Sequence, residues 1–235
     1  MWANRVEVLM KKGLIFYAIP KRWLNKLAII ITSLVVFSAS AAQEIRFKVV
    51  DQSGNPVPNA VVSAQGEPQD HIDDMAVMDQ VNSQFLPHVL VVQKNQSVRF
   101  PNSDDIRHHI YSFSQPKPFE IRLYKGEGSS PVTFDKPGFV VLGCNIHDQM
   151  IGYIYVAEHE LTALTDENGE AILHTQATEF HVWQAKLSTS NSERITVTRE
   201  TSDSAVQNVT LNLLEEKKPE VKRRKFSRKF SSGAH

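Results

Sequence analysis

The chain has 235 residues, enough for one large or two small domains. Basic and acidic residues number 26 each, which excludes a chain that binds nucleic acid through its overall charge, and 41% hydrophobic residues suffice for a packed core. After residue 40 no apolar run approaches the roughly 20 residues of a membrane helix.

At the N-terminus, Lys21, Arg22 and Lys26 precede an apolar run from Leu27 to Phe37 and the small residues Ser38-Ala39-Ser40-Ala41-Ala42. This order predicts a secretory signal peptide over 1–42, cut after Ala41 or Ala42, and hence a periplasmic protein. The basic stretch is long, and a segment that stays uncleaved is the alternative. Cys144 is the single cysteine. In an oxidising compartment it has no intrachain partner, so it is buried, bonded to another chain, or ligated.

Glu44 to Val50 alternates and reads as a strand, Asp51-Gln52-Ser53-Gly54-Asn55-Pro56 as a turn, and Val57 to Ala64 as a second strand. The phrase Val49-x-Asp51-x-x-Gly54-x-Pro56-x-x-x-Ala60 resembles the opening hairpin of carboxypeptidase-regulatory-like domains, which are small transthyretin-like β-sandwiches. Their second phrase is matched by Thr165-Asp166-Glu167-Asn168-Gly169 running to Leu173, about a hundred residues later. Further strands are expected at Phe180–Trp183, Arg194–Thr198 and Asn208–Leu213. The resemblance implies a discontinuous sandwich, 43–66 with 158–214, holding a second module between its parts. Two unrelated β segments flanking one domain are the alternative.

Residues 67–84 are polar and read as a solvated connector. His71, Met75 and Met78 are a weaker pointer to a second metal there. From Phe85, short strands with turn signals follow one another: Phe85–Val92, Ser97–Phe100, His109–Phe113, Phe119–Leu123, Val132–Phe134, Phe139–Leu142 and Ile151–Val156. That spacing predicts an all-β sandwich or Greek-key barrel, without an amphipathic helix of 12 or more residues. Residues 215–235, with Lys222-Arg223-Arg224-Lys225, read as a basic disordered tail.

The chemistry is concentrated in Cys144-Asn145-Ile146-His147-Asp148-Gln149-Met150. A thiolate, an imidazole and a thioether within seven residues form a soft, mixed donor set. With a second histidine, which the stretch Asp104 to His109 offers, this is the donor set of a blue-copper electron-transfer site. Structural zinc prefers more Cys or His and seldom takes Met. Nucleophilic catalysis by Cys144 lacks identifiable oxyanion donors.

Phe100-Pro101-Asn102 with His108, then Pro137-Gly138 with Cys144-x-x-His147-x-x-Met150 and Gly152, resembles the cupredoxins. The short final loop looks most like that of the amicyanins, and plastocyanin-type loops are longer before the Met. The resemblance spans roughly 85–157, so the cupredoxin domain is expected at 67–157. It implies one type 1 copper site held by His108, Cys144, His147 and Met150. Arg107 and His109 flank His108 where the family commonly has Pro and Asn, which leaves His109 as a rival ligand. His88 reads as a structural or surface histidine. Exported proteins of nearly this whole layout are often labelled methylamine-utilisation proteins, which implies an association with amine oxidation.

The expected function is one-electron transport by Cu(I)/Cu(II) cycling, not enzymatic turnover. The port would be the His147 edge between Ile146 and Ile151, and the partner an oxidase, dehydrogenase or cytochrome. Copper binding or delivery without redox turnover, and a recognition module with a passenger cupredoxin, are the alternatives. No nucleic-acid partner is expected, and membrane contact only through the N-terminal segment or the basic tail.

Overall fold

The computed structural model describes residues 42–67, 75–128, 130–199 and 206–215. The signal-peptide segment before Ala42, His71 and the basic tail from residue 216 lie outside the described residues.

In chain order the strands are β1 (Gln43–Asp51), β2 (Val61–Gln65), β3 (Met75–Val77), β4 (Asp79–Val81), β5 (Gln84–Leu86), β6 (Val89–Gln93), β7 (Ser97–Arg99), β8 (His108–Ser112) and β9 (Phe119–Tyr124). They continue with β10 (Val132–Thr133), β11 (Gly138–Cys144), β12 (His147–Ala157), β13 (Glu160–Leu164), β14 (Glu170–Thr175), β15 (Glu179–Trp183), β16 (Arg194–Thr198) and β17 (Val206–Leu211). Among the described residues the one helical element is a 3-10 turn at Ala185–Leu187.

The two ends of the described chain meet in one sheet, β14-β1-β17, where β1 runs antiparallel to β14 and parallel to β17. The facing sheet is β13-β2-β15-β16. Strict alternation in β1 turns Ile45, Phe47 and Val49 inward, where Phe47 meets Phe180 edge-on at 4.9 Å between ring centroids. Two Asp-x-x-Gly turns close the ends of these strands by the same device. Asp51 Oδ1 accepts the Ser53 and Asn55 amides at 2.8 and 2.9 Å, and Asp166 Oδ1 accepts the Asn168 and Glu170 amides at 2.9 and 2.8 Å.

Between β2 and β13 the chain builds a second core. Its larger sheet is β6-β12-β11-β8-β9 and its smaller one β10-β7-β3, with the hairpin β4–β5 beside them. Phe85, Phe100, Phe134, Ile110, Leu142 and Ile154 fill the space between. The chain leaves and re-enters through a narrow neck, where β2 and β13 pair antiparallel from Val61↔Leu164 to Gln65↔Glu160 and the Gly66 amide donates to the His159 carbonyl at 3.0 Å.

The end of the expected solvated connector is part of this core. Met78 and Gln80 are fully buried, and β4 pairs with β5 instead of running free. Strands of three residues are too short to show alternation, so their polar composition misleads. Met78 packs among apolar residues and Met75 lies on exposed β3, so these two do not form a metal site together.

A third cluster joins the two cores. β2 is buried on both faces: Val62 and Ala64 point into the first core, while Val61 packs against β12 and Ser63 lies 3.4 Å from the Tyr155 hydroxyl. Strand β12 alternates likewise, with Ile154 and Val156 in the second core and Tyr153, Tyr155 and Ala157 at the junction. Trp183 is the centre of that junction. It stacks on Phe139 at 5.0 Å and 17°, meets Tyr153 at 5.6 Å, and donates its indole N–H to the Asn191 carbonyl at 2.9 Å. Tyr155 donates to Glu160 and accepts from Arg194 at 3.0 Å, and burial pushes its phenol up to about 12.

Candidate metal centre

Strands β11 and β12 are joined by only Asn145 and Ile146, so Cys144 pairs directly with His147. One residue earlier, Gly143 pairs with Ile151. The pairing therefore skips residues 148–150, which arch away from the ladder, and Met150 at the end of the arch turns into the core, 1% exposed. The cysteine, the first histidine and the methionine are placed by one tight hairpin anchored in the middle of a five-stranded sheet. A Cβ on Gly143 would sit 2.8 Å from the Tyr111 ring and hydroxyl on β8, so any other residue there would push that ring aside.

Strand β8 supplies the remaining histidine. Its alternation buries His108, Ile110 and Ser112 and turns His109 and Tyr111 to the other face. His108 is fully buried, with Nδ1 3.8 Å from Cys144 Sγ. His147, partly exposed, has Nδ1 at the same 3.8 Å from that sulfur. The two rings lie 4.9 Å apart at 61°. Donor atoms of His108, Cys144 and His147 all lie within 4.8 Å of one another.

His109 lies outside this group. Its Nε2 is 2.9 Å from Glu120 Oε1, and its buried Nδ1 has no hydrogen-bond partner among the described residues. The His109 ring holds the Glu120 carboxyl below its usual range. His88 is exposed, with its ring edge-on to Tyr153 at 5.3 Å. Ile146, next to His147 in the chain, and Ile151, which follows the arch, are exposed, at 50% and 42%.

A bound ion fixes how far apart its donor atoms can stand. Bonds of about 2.3 Å to a thiolate and about 2.0 Å to an imidazole, opened to roughly 120°, set sulfur and nitrogen about 3.7 Å apart, and a tetrahedral angle draws them to about 3.5 Å. Both observed separations are 3.8 Å. Each imidazole nitrogen therefore stands at a distance from the sulfur that one bound ion can span, and the buried Met150 lines the same small groove as Cys144. A cysteine, two histidines and a thioether are a donor set that suits a soft transition metal such as copper.

The sequence reading did not find Asp104. Its Oδ2 lies 2.6 Å from His108 Nε2, the nitrogen turned away from the cluster. Burial pushes the Asp104 carboxyl up, but the Ser83 amide, His108 and the Asn82 amide outweigh it and hold it below its ordinary value. The spacing Asp104 to His108, four residues across a loop, has no periodicity that would mark it. Beneath the site, burial also pushes the Tyr124 phenol up to about 12 while it donates to the Phe100 carbonyl at 2.5 Å.

Fold and site together define an all-β protein of packed sheets with one cysteine and two histidines gathered just beneath its surface. No family model matches the chain, and no curated protein matches it. Solved structures do. A reduced Cu(I) mutant of amicyanin at pH 4 is 20% identical, covering 37% of this chain and 87% of that one, with a TM-score of 0.33. A Cu-containing nitrite reductase from Thermus scotoductus is 27% identical over 48% of this chain and 28% of its own, with a TM-score of 0.35. A pseudoazurin from Sinorhizobium is 26% identical over 36% and 74%, with a TM-score of 0.29. Scores this low carry no weight for the site, whose reading rests on the strands and donor atoms above.

Proposed function

We propose that this chain is a periplasmic type 1 copper protein of cupredoxin type that carries single electrons between redox proteins. The observation that carries the reading is the pair of equal 3.8 Å separations from Cys144 Sγ to His108 Nδ1 and His147 Nδ1. Bound copper would supply a one-electron Cu(I)/Cu(II) couple through a covalent thiolate bond. The residues do the rest. Cys144 and His108, buried on adjacent strands, would hold two of the donor atoms in place by the packing around them. His147 brings one ligand to the surface between Ile146 and Ile151, where an apolar face of a partner can exclude water. Met150 is the distant fourth donor. Its burial in the core beside Cys144 would hold its thioether where it could serve as that donor.

The reading includes no substrate and no enzymatic turnover. The partner is a redox protein such as an oxidase, dehydrogenase or cytochrome, and the likeness of layout to methylamine-utilisation proteins favours one engaged in amine oxidation. The sheets β14-β1-β17 and β13-β2-β15-β16 are, in this reading, a carboxypeptidase-regulatory-like sandwich whose outer face carries the copper module. The test is an absorption spectrum of the copper-loaded protein. An intense visible thiolate-to-copper band that bleaches on reduction and returns on oxidation is expected. Stable copper binding without that band would refute the carrier function.

A further inference from the structure

The loop before β8 and the hairpin β4–β5 hold each other by two carboxylates. On the hairpin, Asp79 accepts from the loop: Oδ1 from the Ser103 amide at 3.2 Å and Oδ2 from the Ser103 hydroxyl at 2.7 Å. On the loop, Asp104 accepts from the hairpin turn: Oδ1 from the Asn82 amide at 2.5 Å and Oδ2 from the Ser83 amide at 2.8 Å. Asn82 and Ser83 both have positive φ, 52° and 57°, which turns their two amides toward one anion. Of the two acids, only Asp104 also reaches a histidine of the cluster, at 2.6 Å from His108 Nε2.

That contact has two consequences. An ionised carboxylate only accepts, so Nε2 of His108 carries the hydrogen and the Nδ1 lone pair faces Cys144. The carboxylate also places negative charge on a ring that is 0% exposed, where water screens it little. A carboxylate behind a metal-bound imidazole makes it a more basic donor, and a more basic donor favours the ion of higher charge.

We propose that Asp104 is a positioning residue that acts through His108 to favour the oxidised metal, so that it lowers the reduction potential of the centre. The proposal rests on the copper reading above. The rival account is that Asp104 merely ties the loop to the hairpin. Asp79 makes that tie without touching His108, so it is the control.

Full-length wild type, D104N and D79N are compared by redox titration of the copper-loaded proteins. D104N keeps an acceptor oxygen and loses the charge. It is expected to shift the relative affinity for Cu(II) over Cu(I) about tenfold toward Cu(I), which for one electron is a rise of about 59 mV. D79N should leave the potential close to wild type. An unchanged potential in D104N, or an equal rise in D79N, overturns the proposal.

A second measurement needs neither copper nor a folded variant. In metal-free wild type, nitrogen NMR of His108 should show the neutral Nε2–H tautomer with a strongly deshielded, slowly exchanging proton. An Nδ1–H ring overturns the proposal even if D104N fails to fold. A wild type without the blue band would refute the carrier function and this proposal with it, whereas an Nδ1–H ring, or an unchanged potential in D104N, in a protein that is blue would overturn this proposal alone.

Discussion

Trp183→Ala should separate the two cores. The indole is 1% exposed and touches Phe139, Tyr153 and Tyr155, all on strands of the second core, from a strand of the first. A buried aromatic of this size removes about 150–250 Å² from water, worth about 4–6 kcal/mol at 25 cal/mol per Å². A compact unfolded chain reduces this by 10–40%, to about 2–5 kcal/mol, which overlaps the range of about 3–5 kcal/mol for Trp→Ala in a core. The lost bond to the Asn191 carbonyl adds little, because that residue is partly exposed and water can replace the indole. Urea unfolding of the metal-free protein, followed by far-UV circular dichroism, should show a loss of about that size. It should also show a transition that broadens or splits as the cores come apart. A loss under about 1 kcal/mol with a single sharp transition would refute the reading of Trp183 as the pin of the junction.

Cys144→Ser should abolish the visible band, because a hydroxyl cannot replace the soft thiolate, and a variant that stays blue would end the copper reading. Met150→Leu should keep copper and raise the potential by removing an axial donor to Cu(II), so an unchanged midpoint would place Met150 outside the site. His108→Gly should open the centre to added imidazole, seen as restored colour, and His109→Gly should not; the reverse pattern would exchange their roles. Tyr155→Phe tests alkaline stability. The folded phenol titrates at about 12 against the ordinary 10.0, so its proton is held more tightly in the folded protein. The stability it contributes is present below pH 10 and lost as pH rises toward 12, about 2–3 kcal/mol at 1.36 kcal/mol per unit. The variant should lose that part of the alkaline decline in melting experiments, and an identical pH profile would refute the assignment.

Much of the site was legible because its residue types are rare and close together. Cys144, His147 and Met150 lie within seven residues of a chain with a single cysteine, and that spacing is a hairpin turn plus an arch. His108 and His109 could not be separated by type, only by strand parity, and parity depends on where β8 starts. The sequence reading began that strand at His109, whereas it begins at His108 and buries that residue. Asp104 stayed hidden because its role is made by a contact from the hairpin at 79–86, whose three-residue strands look like polar connector. The twin turns at Asp51 and Asp166 were legible because Asp-x-x-Gly encodes a local hydrogen-bond pattern. The double-sided burial of β2 was not, since Val-Val-Ser-Ala shows neither alternation nor a second hydrophobic face until Trp183 and Tyr155 are brought to it.

The parallel pairing of β1 with β17 has a mechanical meaning. The chain enters β1 at Gln43 and leaves β17 at Leu211, at opposite ends of one ladder that runs from Arg46↔Val206 to Asp51↔Leu211. Tension applied at those two points shears every hydrogen bond of the ladder at once instead of peeling them singly. The second core is inserted at the neck of Gly66 and His159 and packs on the first through Trp183, so it lies outside the two strands loaded directly. A pull on the chain would therefore be borne by the sheet of the two ends, and the spacing of Cys144, His108 and His147 would not change until that sheet failed.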